Sequence, residues 1–471
     1  MSESTESVQV DVVVLGAGPG GYVAAIRAAQ LGKSVAIVER EYWGGVCLNV
    51  GCIPTKVLLR HADVAQLVSR HAGVFGLTDG LSADFSAAHT RSRAVSDGRV
   101  KGVHYLMKKN GIREFAGTGT FVDNNTLTVT DAEGAQVASI AFENAIIATG
   151  SVIRSLPGVE FGTRVTGYVE MVTAETMPDS LAVIGAGPIG IEFACVAASF
   201  GSKVTVIEYQ DRILPQEDEE VSAEMLKALK KLGITFVTSA RVTGAADNGD
   251  NATVTYGLGD NTHTLEVDHV MVAVGFAPRL EGYGLENTGV DVSDRGAIVV
   301  DDQLRTSVPH IFAIGDVTAK LALAHVAEAQ GVLAAEVIAS ASSRKMGDYR
   351  FMPRAVYSLP QAASFGLTEA QARAEYADVT VAKFPFVANG KAHAVGETAG
   401  FVKLVADATT RTLLGGHMAG PDVSELLPEL TLAAQQGITI DDLIHNVHAH
   451  PTLSESLQEA FHGLAGHMIN F

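Results

Sequence analysis

The sequence predicts an α/β chain with two Rossmann-like dinucleotide-binding domains followed by a C-terminal α+β domain. Three observations carry this prediction. Val8–Leu15 is a valine-rich run that closes on Gly16, Gly18 and Gly21 in G-x-G-x-x-G spacing. The same pattern returns 169 residues later, without a gap, at Gly185, Gly187 and Gly190. After about Phe351 the chain changes to short strand-like runs followed by helices. The expected boundaries are 1–150 for the first part of the first domain, 151–275 for the second domain, 276–350 for a return to the first, and 351–471 for the last.

Each copy of the glycine pattern has the context that gives it meaning. A strand precedes it (Val8–Leu15; Ser180–Ile184). An alanine-rich helix follows the first copy to about Leu31. A second strand (Ser34–Val38; Val204–Ile207) leads to an acid, Glu39 or Glu208, 18 residues after the last glycine in both copies. Pro19 and Pro188, and Gly32 and Gly201, match at the same offset. The first glycine permits the tight turn and the second lets backbone approach a pyrophosphate. The third lets helix and strand pack closely, and the acid accepts from ribose hydroxyls. Phosphates then sit at the helix N-terminus. Glu208 at the second ribose position favours NAD over NADP, because a carboxylate repels a 2′-phosphate.

Further strands end in small polar turns. Ala145–Ala148 leads to Thr149-Gly150, His269–Val274 to Gly275, and His310–Ile314 to Gly315-Asp316. In the last domain, strands are expected over Val379–Phe384 and Gly400–Ala406, and helices over about Ser424–Gln436 and Leu453–His462.

Bulk properties exclude several function classes. The chain has 471 residues and a net charge of −19, which argues against nucleic-acid binding and against adhesion to anionic membranes. No apolar run is long enough to predict a membrane span. The first seven residues are short, polar and acidic, unlike a leader, so the expected compartment is cytoplasmic.

Cys47 and Cys52 lie in the run Gly44-Gly45-Val46-Cys47-Leu48-Asn49-Val50-Gly51-Cys52-Ile53-Pro54-Thr55-Lys56, and Cys195 is the one other cysteine. A bridge between them would close a very short loop and stabilise the fold weakly. A cleavable dithiol beside a nucleotide turn suggests redox chemistry. The alternatives are two ordinary cysteines or half a zinc site, but the spacing and the lack of further matched ligands predict no metal. A disulfide exchanging electrons with a cofactor must contact its reactive ring, so a flavin suits the first site and a nicotinamide cofactor the second. Near the C-terminus, His448-Ala449-His450-Pro451-Thr452-Leu453-Ser454-Glu455 offers a base for the incoming thiol. Glu455 has two readings: a carboxylate orienting an imidazole, or the acid of a Thr452-x-x-Glu455 capping box.

Over Val8 to Phe471 the chain resembles the pyridine nucleotide–disulfide oxidoreductase family, and within it the branch that oxidises dihydrolipoyl groups. The most specific motifs are Gly44–Lys56, Thr306–Asp316 and His450-Pro451-Thr452 to Glu455. The resemblance implies FAD in the first domain, NAD in the second, and a C-terminal dimerisation domain building a homodimer with shared active sites. It implies that Cys47 exchanges with the dithiol substrate and that Cys52 faces the flavin. Lys56, paired with Glu192, would lie near the flavin, Asp316 would bond its ribitol, and Gly119, Ala324, Thr149 and Gly150 would contact FAD. Gly275 would contact NAD, and His450, oriented by Glu455, would be the base. Implied partners are the lipoyl-bearing acyltransferases of 2-oxo-acid dehydrogenase complexes. Thr55 and Arg279 depart from the commonest family pattern. A glutathione reductase-like enzyme using NAD(P)H remains the alternative, with a non-catalytic flavoprotein scaffold as a reading of another class.

Overall fold

The computed structural model describes residues 5–70, 72–77 and 82–471. Met1–Ser4, part of the stretch read for a leader, lie outside these residues. The chain divides into two compact units: Met1–Val57, Thr90–Arg154 and Gly275–Tyr349, and then Leu58–His89, Ser155–Val274 and Arg350–Phe471.

In the first unit, Glu6–Leu15 is the central strand, with parallel neighbours Val35–Glu39 and Gln136–Ile147 on either side. Arg113–Ala116 extends the sheet beyond Val35–Glu39. Gln136–Ile147 uses its far edge twice. Its first half pairs antiparallel with Thr126–Thr130 and its last residues pair parallel with Ile311–Ala313. A strand covered on both faces has no polar side to alternate, which explains the unbroken apolar stretch Val12–Leu15; Val12, Val13 and Val14 are each 0% exposed. The Pro19–Gln30 helix buries Ala24, Ala25 and Ala28. It packs against the Ala324–Ile338 helix through glycines, since a Cβ at Gly331 would meet the carbonyl oxygen of Gly20 at 2.5 Å.

The second unit holds the repeat. Five parallel strands run in the order Thr235–Val237, Lys203–Ile207, Ser180–Ile184, His269–Val272 and Val165–Thr166. Ala240–Asp247, Ala252–Leu258 and Asn261–Val267 form an antiparallel meander. The C-terminal sheet is antiparallel, in the order Arg354–Val356, Gln361–Gly366, Leu413–Gly420, Phe401–Asp407 and Val379–Pro385. Helix Glu455–Leu464 buries Leu457, Ala460 and Phe461 in the core that also takes Phe384, Phe386 and Leu404.

Two expected helices are adjusted. The stretch expected over 424–436 begins as a 3-10 turn, Val423–Leu426, and becomes α-helical over Leu427–Gln436, with Pro428 in its first turn, where a missing N–H costs nothing. The last helix starts at Glu455 rather than Leu453. Two long helices, Cys52–Arg70 and Phe85–Lys109, were not read from the sequence. In the second, Ser92 and Ser96 are 0% and 3% exposed and take core-facing positions between Ala88 and Val103, so no apolar stripe marks the helix.

The second unit also contains a buried ionic cluster. Lys403, 3% exposed, places Nζ 3.0 Å from Asp218 Oδ1, 2.9 Å from Glu220 Oε2 and 2.8 Å from Glu369 Oε2. Asp218 also caps the Glu219–Lys231 helix. Beside it, burial pushes His417 down to about 4, and its Nε2–H donates to the Leu367 carbonyl at 2.8 Å. Removing the lysine leaves Asp218 buried and unpaired. Lys403→Met is therefore expected to cost about 3 kcal/mol of stability, whereas Lys383→Met, at a cation 46% exposed, is expected to cost less than about 1 kcal/mol. Thermal unfolding of the two variants side by side checks this; equal losses would contradict it.

Candidate active site

Both glycine turns stand at the C-terminal end of a central parallel strand. Gly16 N–H donates to Val38 O and Ala148 N–H to Leu15 O, each at 2.8 Å; Gly185 N–H donates to Ile207 O and Ala273 N–H to Ile184 O, again at 2.8 Å. Gly16 and Gly185 have φ of +102° and +104°, a left-handed conformation that excludes side chains. A Cβ at Gly21 or Gly190 would fall 1.9 Å or 2.1 Å from the carbonyl oxygen of Gly16 or Gly185, so these glycines set the close approach of helix to strand. The middle glycines differ. A Cβ at Gly187 meets nothing within 4 Å, and at Gly18 only the Gly45 Cα at 3.9 Å. A backbone open at that point, above a helix N-terminus, fits a pyrophosphate in both turns.

The two acids close these turns in the same way. Glu39 accepts from Ala17 N–H at 2.8 Å and from Glu41 and Tyr42 N–H groups at 2.9 and 3.0 Å. Glu208 accepts from Ala186 N–H at 2.6 Å and Gln210 N–H at 2.7 Å. Each carboxylate is thereby held over its glycine turn, in position to accept from ribose hydroxyls.

The dithiol segment is fastened to the first turn. Gly44 N–H donates to Ala17 O at 2.9 Å, and a Cβ at Gly45 would fall 2.5 Å from the Gly18 Cα. Cys47 lies in the short Gly45–Asn49 helix, and Cys52 opens the 19-residue Cys52–Arg70 helix. Both are half-buried thiols in hydrogen-bonding contact. That hydrogen bond, burial and the charge on Cys52 push Cys47 up, against the opposing pull of Lys56. Cys52 stands at the N-terminus of its helix, beside Cys47. Lys56 follows one turn along the same helix. Cys195 is fully buried, and burial pushes its thiol up to about 12, which leaves it inert.

The other predicted residues of the first unit lie on its own strands, turns and helices. Asp316 is held up by burial, opposed by its hydrogen bond from Ser151 Oγ at 2.7 Å. A buried carboxyl group with one hydroxyl partner has acceptor capacity left for a polyol. Thr149 Oγ1 donates to Arg279 O at 3.1 Å, Gly150 has φ +72°, and Ala324 opens the Ala324–Ile338 helix. Gly119 lies in strand Thr118–Phe121, where a Cβ would fall 2.6 Å from Leu15 Cδ1, so packing alone demands glycine there. Sequence reading missed Glu328 and Tyr22. Burial pushes up Glu328, with His325 opposing, and burial also pushes up Tyr22, to which the charges of Glu328 and Cys47 add.

In the second unit, Glu192 is 3% exposed and accepts from Tyr357 N–H at 2.9 Å. Gly275, in the first unit, has φ +103°. Glu455 divides its two oxygens: Oε1 lies 2.8 Å from His450 Nδ1, and Oε2 accepts from Thr452 N–H at 2.8 Å. Only half of the expected capping box forms. The helix is capped at Ser454, and the Thr452 hydroxyl instead donates to Ala449 O at 2.7 Å. His450 is 78% exposed and presents Nε2 outward from a carboxylate-anchored ring. Burial opposes the charge on Glu455, but the Thr452 and His450 hydrogen bonds win and hold the carboxyl below its usual range. Among the described residues no group of three or more His, Cys, Asp or Glu is placed to hold a metal ion. No helix among them is long and apolar enough to cross a membrane.

Comparison with known proteins gives a consistent result. Residues 10–331 match the model of the pyridine nucleotide-disulphide oxidoreductases, and residues 352–461 match that family's dimerisation domain. The dihydrolipoyl dehydrogenase of Mycobacterium tuberculosis is 56% identical, with 98% of this chain and 99% of that protein covered. The dihydrolipoyl dehydrogenase of Corynebacterium glutamicum is 54% identical, with 98% and 99% covered. Among solved structures, LpdA from Mycobacterium tuberculosis superposes with a TM-score of 0.90 at 26% identity, covering 97% of this chain and 99% of that one. The HOCl-induced flavoprotein disulfide reductase RclA from Escherichia coli superposes with a TM-score of 0.85 at 28% identity, covering 96% and 99%.

Proposed function

Because the chain belongs to the pyridine nucleotide-disulphide oxidoreductase family, we propose that it is an FAD-containing, NAD-dependent dihydrolipoyl dehydrogenase with Cys47 and Cys52 as its redox pair. The observation that carries the reading is the dithiol itself, fastened beside the first glycine turn by Gly44 and Gly45.

The chain's own residues then act as follows. Gly16, Gly18 and Gly21, with Glu39 and Asp316, hold FAD; Gly185, Gly187 and Gly190, with Glu208 and Gly275, hold NAD. Lys56 sets the charge near the flavin, and Thr149, Gly150, Gly119 and Ala324 contribute backbone around it. Bound FAD supplies two-electron redox capacity between the dithiol and NAD. His450 Nε2 takes the proton from a substrate thiol, and Glu455 holds the ring in the tautomer that leaves Nε2 free to accept. The substrate thiolate attacks Cys47 Sγ, the Cys47–Cys52 bond breaks, and Cys52 leaves as a thiolate at its helix N-terminus. The second substrate thiol then displaces Cys47, releasing the cyclic disulfide of lipoyl and leaving two reduced cysteines.

We assign 351–471 to dimerisation, with His450 and Glu455 serving the dithiol of a second copy in a homodimer. The substrate is a lipoyl group carried by the acyltransferase of a 2-oxo-acid dehydrogenase complex, and the compartment is the cytoplasm, where such a thiol pair stays reducible. Glu208 is held over the second turn as a carboxylate and disfavours the 2′-phosphate of NADPH, which weighs against a glutathione reductase-like activity.

The test compares NAD reduction by dihydrolipoamide with NADPH oxidation by glutathione disulfide, using the purified holoenzyme. Brisk lipoyl-dependent NADH formation with little NADPH activity is expected. Lipoyl inactivity with strong glutathione disulfide reduction would move the protein to the other branch.

A further inference from the structure

Two residues before His450, a second histidine is paired with a second carboxylate. His448 Nε2 lies 3.1 Å from both Oε1 and Oε2 of Glu429, which stands on the Leu427–Gln436 helix. The side chains could hardly differ more in exposure: His448 is 5% exposed and His450 78%. Glu429 also accepts from Asn446 Nδ2 at 2.8 Å, so it grips the loop at two points. On the other side, the Phe461 ring lies 6.4 Å from the His448 ring. Asn389 Nδ2 donates to Thr452 O at 3.1 Å and to Ser456 Oγ at 3.0 Å, which fastens the far end of the loop.

We propose that Glu429 and His448 form a positioning dyad for His450: they fix the loop that carries it and set a second histidine–carboxylate pair two residues before it. This rests on the reading of His450 as the base. The charged groups around His448 come from three elements: Glu429 from the Leu427–Gln436 helix, Glu455 from the last helix, and His450 from the loop itself. The Glu429 hydrogen bond raises His448 against the cost of burial, and the charges of Glu429 and Glu455 reinforce it. In return, the His448 charge is one of the groups that lower Glu455. The carboxylate that orients His450 is thus partly answered by a second cation. With His448 neutral or absent, that second charge beside Glu455 is lost, and activity in acid is expected to fall.

The experiment measures the pH profile of kcat/KM for dihydrolipoamide oxidation by the holoenzyme in His448→Gln, Glu429→Gln and the double variant. His448→Gln keeps a donor for Glu429 without the charge. Glu429→Gln keeps a partner for Asn446 but removes the anion that holds His448 protonated. Both are expected to move the acid limb up by about half a pH unit, the size of a partly exposed charge pair. That corresponds to roughly a threefold larger loss at pH 6 than at pH 8.5. The double variant is expected to move it no further, because both changes remove the same charge. An unmoved limb in both single variants, with only a lower thermal midpoint, overturns the proposal and leaves a structural clamp. His450→Gln serves as the control. If it keeps full turnover, the base assignment and this inference both fail; if it is inactive while the limb stays unmoved, only this inference fails.

Discussion

Replacing Cys52 with serine is expected to abolish dihydrolipoamide-linked NAD reduction, by roughly four orders of magnitude or more, while leaving the protein yellow with bound FAD. The magnitude follows from the effect of removing the group that makes and breaks the covalent bond. Cofactor retention follows from the structure: the glycine turn, Glu39 and Asp316 are held by backbone and by Ser151, and none of these hydrogen bonds involves either cysteine. Cys47→Ser is expected to match it in turnover, if Cys47 is the sulfur that the substrate attacks, as proposed above. The two variants should then differ in the flavin spectrum of the reduced protein, since on that proposal only Cys47→Ser keeps the sulfur assigned to the flavin side. Full dithiol turnover in Cys52→Ser would remove the redox reading and favour a flavoprotein scaffold.

The second large effect is expected at His450. His450→Gln should retain FAD and fold, because the ring is 78% exposed and is held by Glu455 at the surface. Lipoyl-linked turnover should fall about 10² to 10⁴-fold, the range that general acid–base catalysis supplies. Glu455→Gln should fall less, since the one amide oxygen of glutamine can still accept from Nδ1–H, at the expense of the Thr452 N–H bond. Rapid mixing with dihydrolipoamide, which follows reduction of the dithiol directly, separates this loss from any loss at the NAD end. Unchanged turnover in His450→Gln would end its assignment as the base.

Much of the fold was legible because it is written twice. The glycine turns, the acids and the strands around them lie within about thirty residues of each other in each copy. Every link in that unit is short-range: a positive φ at Gly16, a missing Cβ at Gly21, a carboxylate at the next strand end. The long Phe85–Lys109 helix was not legible, because Ser92 and Ser96 occupy core positions that pattern reading reserves for apolar residues. The start of the last helix was misplaced for a different reason. Thr452 and Glu455 have capping-box spacing, but the loop that holds His450 takes the Thr452 hydroxyl for Ala449 O.

For the site, the sequence by itself determined the chemistry-bearing parts: two glycine turns, a dithiol just downstream of the first, and a histidine with an acid five residues on. These are local, and residue type with spacing is enough to specify them. Tertiary structure alone decided which groups tune those parts. Cys47 acquires Glu328 as a neighbour from a helix far along the chain and Tyr22 from the helix of the first glycine turn, and His448 acquires Glu429 from nineteen residues upstream. Lys403 collects three carboxylates from two other helices. Such pairings depend on how helices pack across a core, which no local spacing records. They also set where protons reside, because burial and a partner's charge act through space and not along the chain.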